Sequence, residues 1–192
     1  MKEFIDEDRK TRMEFYELQD SITEDNIQSV IKKLKILINK DQYFLDPYLL
    51  LADLLEATGD KAESDKVITD AYEKALELVT EKSGQWPEKI EWGWLENRHI
   101  IKAFVNMGIL YWKNNKTIEA YSLFQKLLDT NPNDNVGVRY FMLGILEKMS
   151  EKQFYKRFDK NGYWDEEIDD WFDKKVKNHK KEFGQWLKLF GE

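Results

Sequence analysis

A chain of 192 residues with 42% hydrophobic and 35% charged residues can bury a core and remain dissolved, which excludes a disordered chain. Its net charge of −7 disfavours binding to a phosphate backbone, and the absence of cysteine excludes disulfides and thiolate metal sites. Only three prolines and nine glycines stand among abundant helix-forming residues, so the expected class is all-α rather than a β-sandwich.

The first segment, residues 1–45, is expected to contain N-terminal helices. A helix with a frayed start is predicted over residues 2–18. Ser21 and Glu24 then form a capping-box pattern ahead of a helix over residues 24–39. The beginning lacks an apolar stretch of signal-peptide length, and no run approaches the roughly 20 apolar residues of a membrane span. A cytoplasmic protein without a membrane partner is therefore expected.

The middle segment, residues 46–158, is predicted to consist of helix pairs. Asp46-Pro47 is a typical helix start, and Gly59-Asp60 is typical of a turn between two helices. Asp60 together with Glu63 is expected to cap the second helix of this pair. The predicted helices of the segment cover residues 46–57, 61–81, 97–113, 117–129, 135–149 and 151–158.

A tryptophan-rich stretch, residues 83–96, interrupts the helix pairs. It contains Trp86, Trp92 and Trp94 beside helix-breaking Gly and Pro, which indicates an ordered insertion, since exposed tryptophans in a mobile loop are a liability. Two interpretations are open. The tryptophans either form an aromatic hot spot for a partner or make a small core that packs the insertion onto the helices.

The last segment, residues 159–192, is expected to cap the helical array. Apolar residues recur at helical spacing over residues 165–190, with acidic residues first and lysines later, which predicts one amphipathic helix. Its apolar face is expected to cover the last open face, with insertion into a groove or a dimer contact as alternatives. Its basic stretch is interpreted as a solvated face, or alternatively as an RNA contact, and consists of Lys174, Lys175, Lys177, Lys180 and Lys181.

Residues 106–133 closely resemble a tetratricopeptide repeat. The small, aromatic and proline positions of that family are occupied at the right spacing by Gly108, Tyr111, Ala120, Phe124 and Pro132. A weaker copy begins at Pro47 and has Ala52, Leu55, Ser64 and Ala71 at related positions. A third copy, over residues 135–158, keeps the helix pair but few signature residues.

The resemblance implies a single domain, residues 1–192, folded as a right-handed α–α superhelix of helix hairpins. In that family the first helix of each pair lines a concave groove that takes an extended or helical peptide. The corresponding positions here are Lys102, Val105, Ile109, Trp112 and Lys113, and Leu49, Asp53 and Glu56 in the earlier copy. Val105 and Ile109 stand where a polar carboxylate clamp needs Lys or Asn, so that clamp is not expected.

No motif for catalysis or cofactor binding accompanies this pattern. The only histidines, His99 and His179, lack metal-ligand spacing, and a structural role is expected for both. A phosphate loop and a nucleophile elbow are absent, and Asp159-Lys160-Asn161-Gly162 lacks the later Gly and Glu of a calcium loop. The expected function is therefore a protein-interaction module without cofactor or metal. The alternatives are an enzyme with its site at the insertion and groove, and an RNA-binding helical repeat.

Overall fold

The computed structural model describes residues 2–80 and 84–190, and every regular element among them is helical. These residues form two compact units, one ending at Met107 and the other beginning at Gly108. Extended pairing in the described ranges is limited to two isolated bridges, Glu3 with Lys89 and Asp159 with Trp164. The all-α prediction is confirmed.

The first unit is built from helices that pack in chain order. It contains α1 (Arg12–Asp20), α2 (Ile27–Lys40), α3 (Asp46–Ala57), α4 (Lys61–Val79) and the beginning of α5 (Arg98–Lys113). α2 packs on α3, and α3 packs on α4. Tyr72 of α4 meets Phe104 of α5 with ring centroids 5.9 Å apart. Ser64 Oγ of α4 donates a 2.9 Å hydrogen bond to the Ala52 carbonyl of α3, so two small residues bring these helices close together.

Two predictions for the start of this unit are wrong. Residues 2–11 are not helical, because long-range hydrogen bonds hold them extended, including one from Phe4 N–H to the Lys89 carbonyl at 2.9 Å. The capping box lies two residues later than predicted and joins Thr23 and Asn26 at the 3₁₀ turn Glu24–Asn26. The Asp60 cap is confirmed, since its carboxylate accepts from the Glu63 N–H at 3.3 Å.

The second unit contains the end of α5 and the remaining helices: α6 (Thr117–Thr130), α7 (Val138–Leu146), α8 (Glu151–Phe158), α9 (Glu167–Lys175) and α10 (Lys180–Phe190). α6, α8 and α9 each pack on α7. Gly108 lies against the ring of Phe124, which is fully buried. Gly144 lies equally close to Phe154 and Trp112. Small residues thus allow close contact between helices at two places in this unit.

The single C-terminal helix predicted over residues 165–190 is wrong, because the chain breaks into α9, a 3₁₀ turn at Val176–Asn178, and α10. In one straight helix, residues 172 and 183 are separated by about 16 Å along the axis. Here the rings of Phe172 and Phe183 are 5.5 Å apart, so α10 folds back onto α9. Glu147 fixes the turn by accepting from Lys175 Nζ at 2.5 Å and contacting His179 Nε2 at 2.9 Å.

Three helix-to-helix turns share one hydrogen-bond pattern. Each has a residue with positive φ, namely Gly59 (92°), Asn115 (59°) and Lys148 (61°). In every case its N–H donates to the carbonyl three positions earlier, and the next N–H donates to the carbonyl five positions earlier, at 2.8–3.0 Å. This is the arrangement of a Schellman helix end. The turn after α7 therefore repeats the other two, although its sequence holds neither Gly nor Asn.

Candidate functional site

The N-terminal segment, residues 2–11, is anchored by a buried polar network around Asp6. The Asp6 N–H donates to Asn97 Oδ1 at 3.0 Å, and its carboxylate accepts from Arg9 Nε at 2.7 Å and contacts His99 Nε2 at 2.9 Å. Asn97 Nδ2 donates to the Phe4 carbonyl at 2.9 Å. These hydrogen bonds tie the segment to the beginning of α5. As a result α1, which follows the segment in the chain, lies on the same face of the first unit as the beginning of α5.

His99 has a structural role in this network. Its Nδ1 accepts the Leu45 N–H at 3.2 Å, so Nε2 is the nitrogen that donates to Asp6. Burial raises the pKa of Asp6, but hydrogen bonds from His99 and Arg9 outweigh it, and the pKa lies below its ordinary value. Asp6 is therefore a carboxylate at neutral pH, held between two buried donors.

A groove lined by α1, α3 and α5 runs along one face of the first unit. It consists of two adjoining clefts that share Tyr16, Asp46 and Lys102. The first, of about 260 Å³, is the arginine cleft, lined by Arg12, Tyr16, Phe44, Asp46, Trp92, Leu95, Arg98, His99 and Lys102. The second, of about 210 Å³, is the aspartate cleft, lined by Phe15, Tyr16, Gln19, Asp46, Leu49, Leu50, Asp53, Lys102 and Asn106. Together they form the α1–α3–α5 groove.

Most charges in the groove are paired. Lys102 Nζ binds Asp46 Oδ1 at 2.9 Å in the part that both clefts share, and Arg12 binds Asp8 at 3.0 Å. The guanidinium of Arg98 lies 5.1 Å from the centre of the Trp92 ring, and its Nε donates to the Trp92 carbonyl at 3.1 Å. Among the described residues Arg98 makes no ion pair, so it carries an uncompensated positive charge in the arginine cleft.

Asp53 carries the opposite charge in the aspartate cleft. Its carboxylate forms no ion pair with any described residue. Desolvation raises the pKa of Asp53, and the negative charge of Glu56 one turn later on α3 raises it further. A cation bound at this end of the groove would stabilise the charged form of Asp53 and so offset both effects.

The structure brings three of the predicted groove residues together, because Leu49, Asp53 and Lys102 all line the aspartate cleft. Glu56 is exposed on α3 and Val105 is half-buried on α5, and neither lines these clefts. The α1 residue Tyr16 and the insertion residues Trp92 and Leu95 complete the groove. Tyr16 and Leu95 are exposed apolar residues.

The other predicted groove residues belong to the second unit. Trp112 is buried there, and its Nε1 donates to the Met149 carbonyl at 3.0 Å. The expectation that Trp112 lines an open groove is therefore wrong, since the indole packs against Phe154 instead. Ile109 is half-buried and Lys113 is exposed.

The three tryptophans of the insertion have different environments. Trp86 packs on Phe104 with ring centroids 4.5 Å apart, as the small-core interpretation predicts. Trp92 lies in the arginine cleft under Arg98. Trp94 is 44% exposed, and its Nε1 donates to Glu3 at 3.0 Å. Residues 81–83 lie outside the described residues, and with them Ser83, the start of the predicted insertion, and Glu81, the predicted end of the helix before it.

The second unit has its own cleft, of about 650 Å³, between α9 and α10. Phe172, Val176, Trp186, Leu187 and Phe190 give it an apolar lining, with Lys177 and Lys180 at its edge. Arg139 stacks on Tyr140, Phe172 and Trp186, and its Nη1 binds Asp134 at 2.9 Å. In the described ranges no three His, Asp or Glu side chains converge as a metal-ligand set.

Within residues 2–80 and 84–190, no helix combines the length and apolar character needed to cross a bilayer. Comparison with protein-family models, with curated proteins and with solved structures gave no match. The likeness to tetratricopeptide repeats therefore rests on the residues of the chain alone.

Proposed function

We propose that this chain is a non-enzymatic protein-interaction module of the tetratricopeptide type, which binds an extended peptide segment of a partner protein in the α1–α3–α5 groove. The observation that carries the proposal is the groove itself. It follows alternate helices of the first unit, as the resemblance implies, and three of the predicted residues, Leu49, Asp53 and Lys102, line it.

The recurring turns support the tetratricopeptide assignment. Lys148 follows Asn115 by 33 positions, close to the family period of about 34 residues. The longer interval between Gly59 and Asn115 contains the tryptophan-rich insertion. A right-handed superhelix of such hairpins is part of the proposal.

The polar groups of the groove favour binding over catalysis. Both ring nitrogens of His99 are engaged by Leu45 and Asp6, so this histidine has no nitrogen available for proton transfer to a substrate. Lys102 is held by Asp46. Exposed Tyr16 and Leu95 instead offer apolar contact area, and aromatic side chains often dominate binding energy at protein interfaces.

Affinity purification from native lysate with mass spectrometry tests the proposal. Wild type is compared with Leu50→Glu, which places a charge on the lining of the aspartate cleft. Ile118→Glu is the matched control, because Ile118 is 81% exposed and lies on α6 of the second unit. We expect a partner that wild type and Ile118→Glu retain and Leu50→Glu loses, with all three proteins folded by circular dichroism.

Two results would contradict the proposal. One is recovery of the same proteins by wild type and Leu50→Glu, which would place binding elsewhere. The other is loss of every partner after ribonuclease treatment, which would favour the RNA-binding alternative.

A further inference from the structure

The two uncompensated charges of the α1–α3–α5 groove lie in different clefts. Arg98 is in the arginine cleft and Asp53 is in the aspartate cleft, and the paired Lys102 and Asp46 separate them. Tyr16 lines the shared part beside this pair, and Leu50 adds apolar surface in the aspartate cleft. The groove therefore has a positive end, a middle without net charge and a negative end.

The helix geometry sets the distance between these ends. The arginine cleft uses the beginnings of α3 and α5, and the aspartate cleft uses residues one to two turns later on both helices. From Arg98, which lines only the arginine cleft, to Asn106, which lines only the aspartate cleft, the axis of α5 rises by about 12 Å. An extended peptide advances about 3.3 Å per residue, so three to four residues cover this distance.

We infer that the groove selects a short bipolar peptide, in which an acidic and a basic side chain lie three to four positions apart with apolar residues between them. The acidic side chain pairs with Arg98 and the basic side chain pairs with Asp53. This inference rests on the proposed function and adds the chemistry of the partner segment. Each charge of the ligand meets a protein charge that has no ion-pair partner, so neither new pair has to displace an existing one.

A random displayed heptapeptide library is the probe. It is selected against wild type, Asp53→Lys, Arg98→Glu and the control Asp25→Lys. Asp25 is exposed in the 3₁₀ turn before α2 and makes no ion pair among the described residues, so the control has the same charge change outside the groove. Folding of each variant is checked by circular dichroism.

We expect wild type and Asp25→Lys to enrich peptides with one acidic and one basic residue three or four positions apart. Asp53→Lys should enrich peptides with two acidic residues at that spacing, and Arg98→Glu should enrich peptides with two basic residues. In fluorescence anisotropy, a wild-type peptide should bind Asp53→Lys at least about tenfold more weakly. Replacing its basic residue by Glu should restore binding to that variant.

The possible failures are distinguishable. Enrichment of peptides without this charge pattern, or of the same pattern by wild type and Asp53→Lys, would overturn the inference and leave the proposed function standing. Absence of any enriched peptide with wild type would count against the proposed function itself.

Discussion

Gly108 is at a position where the neighbouring helix leaves no room for a side chain. A Cβ atom there would lie 2.3 Å from Cε1 of Phe124, whose ring is fully buried. Gly108→Ala should therefore lower the free energy of unfolding by about 1–3 kcal/mol, because the ring or the helix has to move. Urea unfolding followed by circular dichroism measures this loss.

Gly184 in α10 is the matched control. A Cβ atom there meets nothing within 4 Å, so Gly184→Ala should raise stability slightly, by about 0.5–1 kcal/mol, through helix propensity alone. If the two substitutions changed the free energy of unfolding equally, the contact with Phe124 would not restrict the size of the side chain at position 108.

Asp6 gives the first unit a predictable dependence on pH. Because its folded pKa is depressed, its stabilising effect is complete above its unfolded pKa of about 3.9, and it is lost as the pH falls through the folded value. Asp6→Asn should cost about 1–3 kcal/mol at pH 7, because Arg9 and His99 lose the buried carboxylate between them, although Arg9 keeps its contacts with Glu7 and Asp41. In urea unfolding the difference from wild type should shrink below pH 4. Asp25→Asn, at an exposed position, should match wild type at every pH, and a constant Asp6→Asn deficit would contradict this assignment.

Among the elements, the turn between α7 and α8 is the most strained of the three recurring turns. Lys148 has a φ of 61°, a conformation that costs a residue with a Cβ about 1–2 kcal/mol. Lys148→Gly should therefore raise the free energy of unfolding by about 0.5–1 kcal/mol, after the greater chain entropy of glycine is subtracted. Thermal or urea unfolding measures the gain.

Gly59→Ala is the reciprocal test. Gly59 has a φ of 92° and an empty space around its Cβ position, so the substitution should destabilise the protein through backbone strain alone. If neither Gly59→Ala nor Lys148→Gly changed the free energy of unfolding, the backbone of these turns would adjust so that no strain remains.

Helix boundaries set by local signals were predictable from sequence. α3 (Asp46–Ala57) begins at Asp46-Pro47 and ends before Gly59, as predicted, since a proline start and a glycine end are encoded next to each other in the chain. The extended N-terminal segment and the break at Val176–Asn178 were not predictable in this way. Both depend on distant contacts, Asp6 with Asn97 and Glu147 with Lys175 and His179, which leave no local pattern.

The residues of the candidate groove also divide into those that a local sequence pattern predicts and those that it does not. Leu49, Asp53 and Lys102 were predicted from repeat spacing, and Trp92 only as a member of a possible aromatic hot spot. Arg98 was not predicted, because its place in the groove depends on the insertion. Trp112 was misassigned since its spacing fits a groove position, whereas the small Gly144 on α7 admits the indole into the interior. Whether a large ring is buried depends on the size of the residue opposite it on the neighbouring helix.

For the whole molecule, the charge distribution argues against the RNA-binding alternative. Exposed lysines without ion pairs in the described part of the chain are spread out: some lie near the C-terminal end, at Lys174, Lys177, Lys180, Lys181 and Lys188, and others lie elsewhere, as on α2 at Lys32, Lys33 and Lys35. The net charge of −7 weakens the attraction of these lysines for a phosphate backbone. We expect a labelled single-stranded RNA of about 20 nucleotides to bind with a Kd of about 10⁻⁴ M or weaker at physiological salt.

Fluorescence anisotropy over a salt series measures this affinity, with Lys177→Glu/Lys180→Glu as the comparison. Micromolar binding that falls steeply with salt and is lost in the double variant would support RNA recognition and contradict the expectation.

The anchoring of the N-terminal segment has a consequence for biosynthesis. Asp6 finds its hydrogen-bond partners 91 and 93 positions later, at Asn97 and His99. At about 5–20 residues per second, a ribosome needs about 5–20 s to add that length of chain. Until then the nascent polypeptide can pack α1 on α2 and Phe44 but lacks the buried partners of Asp6, so the partner-binding face matures only after the beginning of α5 has emerged from the exit tunnel.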